Sequence, residues 1–179
     1  MKNPYLNYFA YGTNRDLEMM AAIIGREKID GAPARLLGFE LVVQKTNDIS
    51  NEIIKTAPIP ASPRQIVEKA FDKNFELYII RPRINGVTFG TIWQIKEKEY
   101  QLVREWELLD FGMQQNIHAI AVGSKNTLIN VVTHGTLNRR AFINRTIEGN
   151  DYDNYLVMKD KILKVATRVR EEYLARLSK

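Results

Sequence analysis

The chain has 179 residues, of which 45% are hydrophobic and 26% are charged, and its formal net charge at pH 7 is +5. This length and composition suffice for one domain with a buried core. Because the sequence contains no cysteine, disulfides, thiolate catalysis and cysteine-ligated zinc or iron–sulfur centres are excluded.

No apolar run approaches the ~18 residues that a membrane-spanning helix needs, and the first twenty residues lack the pattern of a secretory signal. We therefore expect a cytoplasmic protein with no membrane partner. The basic residues are dispersed along the chain, and no aromatic residues alternate with them as in a single-strand stacking surface. This pattern favours a mildly basic solvated surface over a specific nucleic-acid partner.

A strand, a turn and a helix are predicted at the N-terminus. Residues 8–10 are apolar and aromatic, and Gly12 follows them. Thr13 and Asp16 have the spacing of a helix N-cap and its return partner, and Gly25 is placed to end the helix. Backbone N–H groups of residues 12–15 would then converge on one point, where the helix dipole favours an anion. A carboxylate site is one interpretation; a simple cap at Thr13 beside a buried Tyr11 is the other.

The middle of the chain predicts a strand over residues 36–43 and then a loop-like stretch. Ser62, Pro63 and Gln65 have the spacing of an N-cap, a first helical residue and a capping-box partner, which predicts a short helix. This helix lies within an insertion at about residues 44–74. Loops of that length often act as lids or partner surfaces.

Two further strands, 75–81 and 87–95, are predicted to form a hairpin through Asn85 and Gly86. The remaining elements are a helix over 96–110, strands over 117–122 and 128–133, and a long helix over 155–177. Strands and helices do not alternate regularly. The pattern therefore favours a single α+β domain spanning 1–179, with a mixed or antiparallel, barrel-like sheet and flanking helices.

Glu107 is a candidate general base. On the predicted helix it lies one turn from Val103 and two turns from Tyr100, at the border of the apolar face, whereas Glu105 is expected to point outward. A partly buried carboxylate has a raised pKa and accepts protons near neutral pH. Glu99 lies nearer the middle of the same face, so helical spacing allows either residue to be the base. It also allows Glu107 to be a simple surface glutamate.

Other kinds of site have little support. His118 and His134 are sixteen residues apart on separate predicted strands and lack the spacing of paired metal ligands, which indicates structural roles. The sequence contains neither a Gly-x-Ser-x-Gly elbow nor a phosphate loop. No metal site is therefore expected.

Residues 8–14 read Tyr-Phe-Ala-Tyr-Gly-Thr-Asn. This segment resembles the N-terminal signature of the gamma-glutamylcyclotransferase-like family, Tyr-Phe-Ala-Tyr-Gly-Ser-Asn-Leu, with Thr13 in place of Ser and Arg15 in place of Leu. Residues 86–95 and 103–107 are similar to the second signature, a Val-x-Gly-x-Leu-Tyr strand followed by Leu-Asp-x-x-Glu-Gly. Its Glu falls on Glu107.

The chain also departs from the family pattern. Arg104 replaces the Asp of the second signature, and Leu108 replaces its Gly. Gln115 and Asn116 lie where the family often has a Tyr, and His134 occupies a strand position that is often aromatic. These differences indicate an altered substrate pocket.

The resemblance implies an enzyme without cofactors that cyclises a γ-glutamyl amine, amino acid or peptide to 5-oxoproline and releases the amine. It implies that Glu107 is the general acid and base, and that Tyr11, Gly12, Thr13, Asn14 and Arg15 bind the substrate. The alternative is a binding or regulatory module that keeps the fold without turnover. Arg15 distinguishes the enzyme from the binding module. In the pocket it would either lower the pKa of Glu107, which weakens Glu107 as a base, or bind a second carboxylate of the substrate.

Overall fold

The computed structural model of the protein describes residues 5–139, 145–146 and 155–178. The strands in these ranges are β1 (Tyr5–Ala10), β2 (Gly31–Lys45), β3 (Glu76–Lys96), β4 (Gln115–Val122), β5 (Leu128–Gly135) and β6 (Arg145–Thr146). The helices are α1 (Leu17–Ile24), α2 (Pro63–Ala70), α3 (Glu97–Trp106) and α4 (Tyr155–Leu177). A 3-10 turn, Thr13–Arg15, connects β1 to α1.

Five of the described strands close into a barrel in the order β3-β1-β5-β4-β2, because β2 also pairs with β3. The β1–β5 pair is parallel, and the other pairs in the barrel are antiparallel. The short β6 adds to β2 outside this circuit. The predicted α+β domain with a mixed, barrel-like sheet is confirmed. None of the helices in the described ranges is both long and apolar enough to cross a membrane.

The predicted hairpin at residues 75–95 is wrong. β3 is one strand of 21 residues, and both of its halves pair with β2 rather than with each other. The pairing passes from Phe39↔Pro82 to Leu37↔Val87, so residues 83–86 bulge opposite a single residue of β2. Asn85 does adopt the positive φ of 60° that an Asn-Gly turn favours. The long β2 strand nevertheless pairs with β3 both before and after Asn85, so this segment forms a bulge instead of a hairpin turn.

The N-cap of α1 is Asp16 and not Thr13. One carboxylate oxygen of Asp16 accepts hydrogen bonds from the backbone N–H groups of Glu18 (3.0 Å) and Met19 (3.2 Å). The side chain of a residue directly before the helix reaches these amides, whereas Thr13 is one turn too early. The dipole of α1 therefore begins beyond residues 12–15. Gly25 ends the helix as predicted, with φ 72°.

The largest buried cluster lies between the barrel and helices α1, α3 and α4, and a second cluster fills the barrel. Backbones approach closely here: a Cβ atom at Gly90 would lie 2.2 Å from the carbonyl oxygen of Ala10. β1 and β3 therefore pack tightly where β1 leads into the turn at residues 12–15.

The segment before β3 forms an ordered layer. The predicted helix at Ser62–Gln65 is confirmed as α2, in which the Ser62 hydroxyl accepts from the Gln65 N–H and the Gln65 side chain accepts from the Ser62 N–H. Val67 packs with Leu108 and Phe111, which follow α3, in a third buried cluster. This layer covers the C-terminal end of α3.

Candidate active site

A cavity of about 620 Å³ lies where the barrel meets the surrounding helices. Its described walls come from four parts of the chain: residues 11–14 after β1, residues 59–78 around α2, residues 105–114 at and after the end of α3, and one face of α4. Tyr11, Gly12, Thr13, Asn14 and Glu107 all line this cavity. Two segments about 90 residues apart in sequence therefore share one site.

Glu107 follows the last residue of α3, one turn earlier than the helix end that the sequence predicts. Its Oε1 accepts a hydrogen bond from Asn14 Nδ2 (2.7 Å), and its Oε2 accepts one from Gln114 Nε2 (2.7 Å). Burial raises the pKa of Glu107 from 4.5 to about 7, and the hydrogen bond from Gln114 opposes this shift. Such a carboxyl group exchanges protons near neutral pH.

Asn14 is fixed by contacts from two strands. Its buried side chain donates from Nδ2 to the Tyr8 hydroxyl (2.7 Å) as well as to Glu107, and its backbone carbonyl accepts from the indole N–H of Trp93 (2.9 Å). Thr91 of β3 donates to the neighbouring carbonyl of Arg15 (3.0 Å). The turn is therefore held against β1 and β3, and it holds Glu107 in place.

Gln114 is a site residue that the sequence analysis missed. Its Oε1 accepts a hydrogen bond from the Tyr11 hydroxyl (3.1 Å), while its Nε2 donates to Glu107. Gln114 therefore links the two segments that resemble the family signatures. No local pattern marks this glutamine. Only the path of the chain after α3, which turns back toward β1 and β4, brings it to the carboxylate.

Arg15 is not among the described residues that line the cavity. The oxygens of Glu107 accept instead from the neutral amides of Asn14 and Gln114. The described contacts of the Glu107 carboxylate therefore do not include an ion pair with Arg15, which would have lowered its pKa.

The structure separates the two glutamates that helical spacing left open. Glu99 is buried, and its carboxylate accepts from Arg26 Nε (2.8 Å) and Nη2 (3.1 Å) and from the backbone N–H of Lys96 (2.7 Å). Burial acts to raise its pKa, but these hydrogen bonds and the Arg26 charge outweigh burial and lower it. Glu99 is thus an ionised group that anchors the start of α3 outside the cavity walls.

The expectation that Glu105 points to solvent is wrong. Only 6% of this residue is exposed, and its carboxylate accepts a hydrogen bond from Arg176 of α4. Helix α4 packs against the face of α3 that helical spacing predicts to be exposed. Long-range packing of this kind is not visible in helical spacing.

The family departures at Asn116 and His134 meet at the hydroxyl group of Tyr100. The Tyr100 hydroxyl donates to Asn116 Oδ1 (2.7 Å) and lies 3.0 Å from His134 Nε2, so the histidine N–H donates to that hydroxyl. Burial lowers the pKa of His134 to about 3, which keeps the ring neutral. Within the described ranges no cluster of three His, Asp or Glu side chains is placed to hold a metal ion.

Leu108, which stands where the second signature has Gly, has a left-handed backbone with φ 52°. A residue with a side chain is disfavoured in that region by roughly 1–2 kcal/mol. The buried Leu108 side chain packs against the layer around α2. Position 108 therefore has a backbone conformation that favours Gly, and its Leu side chain adds a contact with this layer.

No protein-family model matches the sequence, and a comparison with curated proteins also gives no match. Solved structures do match. A gamma-glutamyl cyclotransferase is 14% identical with a TM-score of 0.59, over 93% of this chain and 86% of that protein. An uncharacterized protein from Homo sapiens is 16% identical with a TM-score of 0.58, over 98% and 88%. A protein from Arabidopsis thaliana is 15% identical with a TM-score of 0.53, over 96% and 94%.

These similarities show that the chain has the fold of the gamma-glutamyl cyclotransferases. The fold that the two sequence signatures imply is confirmed. Because one fold hosts many activities, the reaction has to be argued from the site itself.

Proposed function

We propose that the protein is a gamma-glutamyl cyclotransferase-like enzyme, which converts a γ-glutamyl amide to 5-oxoproline and a free amine with Glu107 as general acid and base. The observation that carries the proposal is the Glu107 carboxyl group, which has a pKa of about 7 and lies in a cavity shared with the turn at residues 11–14. The gamma-glutamyl cyclotransferase with the same fold supports it.

The reaction needs no nucleophile from the protein. The substrate α-amine attacks its own side-chain carbonyl carbon, a C–N bond closes the five-membered lactam, and the bond to the leaving nitrogen breaks. The attacking nitrogen loses two protons, one before the attack and one as the C–N bond forms, and the leaving nitrogen gains both, so that the amine departs as an ammonium ion. Glu107 accepts each proton and passes it to the leaving nitrogen. Since both reacting groups belong to one molecule, the site has only to hold the folded conformer and move these protons.

The raised pKa of Glu107 suits this proton transfer. A peptide α-ammonium group has a pKa of roughly 7.7–8.0, and that of a γ-glutamyl compound is higher because a free carboxylate lies beside it. Transfer of its proton to Glu107 is uphill by ~1.4 kcal/mol for each unit of pKa difference. A Glu107 pKa of about 7 instead of 4.5 lowers this cost by ~3.4 kcal/mol. Burial of Glu107 therefore lowers the cost of forming the nucleophile.

The turn is the proposed binding site for the glutamyl part. Gly12, Thr13 and Asn14 line the cavity beside the carboxylate, and backbone amides at this position suit a carboxylate or the oxyanion that develops on the attacked carbonyl. Because α1 starts only at Leu17, its dipole acts on this position less than the sequence suggested.

The test is to incubate the purified protein with a set of L-γ-glutamyl amines, amino acids and peptides and to measure 5-oxoproline by mass spectrometry. We expect 5-oxoproline and the free amine in equal amounts. Two matched controls remove the chemistry: an N-acetylated γ-glutamyl compound has no nucleophile, and an α-glutamyl isomer cannot release its amine by closing this ring. If no member of the set gives 5-oxoproline while some bind, the protein is the non-catalytic binding module instead.

A further inference from the structure

We infer that the leaving amine of the substrate is a bulky apolar amine without a carboxylate group. This inference rests on the proposed function, since it identifies the part of the same cavity that the glutamyl group does not occupy. It is drawn from the size of the cavity, the character of its walls and the sign of the charges that line it.

The cavity has room for a large leaving group. Its volume of about 620 Å³ is typical of sites that enclose a drug-sized ligand. The lining residues of α4 run from Met158 to Arg176, eighteen positions, or ~27 Å of helix. A γ-glutamyl group beside Glu107 would fill only part of this space.

The walls away from Glu107 are mostly apolar. Val67 and Phe71 face the cavity from the α2 layer, Trp106 from the end of α3, and Ile162 and Val165 from α4. A polar leaving group such as glycine would leave this surface in contact with water. An aromatic or branched alkyl group would cover it, and each buried methylene increases binding about fourfold.

The charges oppose a carboxylate. The described lining contains five acidic side chains and one basic side chain, although the whole chain has a net charge of +5. Asp72 and Glu172 are exposed where the cavity meets solvent. The basic residue, Arg176, is already paired with Glu105.

Two basic residues of α4 that lie next to the lining also have contacts within the protein. Lys161 donates to the carbonyl oxygen of Phe71 (3.1 Å), and Arg168 lies 3.9 Å from Glu172 on the same face of α4. A leaving group that carries its own carboxylate would therefore meet acidic side chains without a free basic partner among the described lining residues. Like charges in one site disfavour binding.

Three γ-glutamyl compounds separate these requirements. L-γ-glutamyl-phenethylamide has the proposed chemistry, L-γ-glutamyl-L-phenylalanine adds only a carboxylate, and L-γ-glutamyl-methylamide lacks the apolar group. Binding is measured by calorimetry on the Glu107→Gln variant, and turnover by 5-oxoproline formation with the wild-type protein. We expect the phenethylamide to bind, and to be turned over, at least about tenfold better than either of the other two.

The two readouts distinguish failure of this inference from failure of the proposed function. Equal or better binding of the phenylalanine or methylamide compound overturns the inference, whether or not 5-oxoproline forms. Preferential binding of the phenethylamide without any 5-oxoproline supports the assigned ligand chemistry and contradicts the proposed reaction.

A matched pair of surface variants tests the role of charge. Glu172→Lys reverses an acidic residue in the lining, and Glu171→Lys makes the same change on the next residue, which is exposed and outside the lining. We expect only Glu172→Lys to narrow the preference for the phenethylamide over the phenylalanine compound, by severalfold. An equal change in both variants, or none in Glu172→Lys, contradicts the proposed role of the acidic lining.

Discussion

Replacing Glu107 by glutamine is expected to stabilise the protein above neutral pH. The native state binds the Glu107 proton up to a pKa of about 7, whereas the unfolded chain releases it near 4.5. Between these values the native state holds more protons than the unfolded state, so wild-type stability falls as pH rises. Above pH 7 the full cost of keeping a buried carboxylate is present, and glutamine removes it.

The difference of about 2.5 pKa units sets the magnitude. It corresponds to at most ~3.4 kcal/mol, and because the largely buried Glu107 residue keeps some contact with solvent, screening should reduce this to about 1–3 kcal/mol. The substituted amide can keep both contacts. Its oxygen accepts from Gln114, and Asn14 can rotate to accept with its Oδ1, a buried atom that has no partner among the described residues.

Urea unfolding of the two proteins at about pH 5 and about pH 8 measures this effect. We expect the variant and the wild type to be similar at the lower pH, and the variant to be more stable at the higher pH. For a chain of this length, a gain of about 2 kcal/mol raises Tm by roughly 4–8 °C. A stability difference that does not change with pH would refute the raised pKa of Glu107.

Glu99→Gln is the matched control with the opposite sign. The pKa of Glu99 is lowered by Arg26 and by the Lys96 amide, so its carboxylate stabilises the fold above its unfolded pKa of 4.5, and that contribution is lost as pH falls through the lowered native value. We therefore expect Glu99→Gln to be destabilised at neutral pH and to approach the wild type in acid. The same trend in both variants would show that local charge environment does not distinguish these glutamates.

Three further predictions concern the site and its support. In cyclisation assays, kcat/KM should rise about tenfold per pH unit up to about pH 7, where Glu107 loses its proton; a profile already flat from pH 5 would exclude Glu107 as the base. Gln114→Leu removes the hydrogen bond that lowers the pKa of Glu107, so the midpoint of this profile should move to higher pH, and an unchanged midpoint would contradict that role. Gly90→Ala places a methyl group 2.2 Å from the Ala10 carbonyl oxygen and should lower the free energy of unfolding in urea by about 3 kcal/mol. A variant as stable as the wild type would contradict this close approach of the two strands.

Features that depend on neighbouring residues could be predicted from the sequence. The capping box at Ser62 and Gln65, the Gly25 end of α1, and the bounds of α4 at residues 155–177 all follow from local spacing. The strand before Tyr11 could be placed for the same reason. Each of these signals lies within a few residues of the structure that it produces.

Features that depend on distant contacts could not be predicted. Asn85 and Gly86 favour a turn, but the register of β2 makes them a bulge. Helical spacing leaves both Glu99 and Glu107 open as the base, and the partner that distinguishes Glu99 is Arg26, 73 residues away. Gln114 carries no motif because its role arises only after the barrel closes. Resemblance to the family pointed to Glu107, and tertiary packing provides the physical reason.

The most direct test of Glu107 as the acid and base is the initial rate of 5-oxoproline formation in two variants, measured with one γ-glutamyl substrate of the wild type. We expect Glu107→Gln to lower kcat by roughly 10²–10⁴, the usual contribution of a general base, while substrate binding is largely kept. Glu99→Gln should retain the rate under conditions in which it is folded. Wild-type turnover by Glu107→Gln, or its loss in folded Glu99→Gln alone, would contradict the assignment.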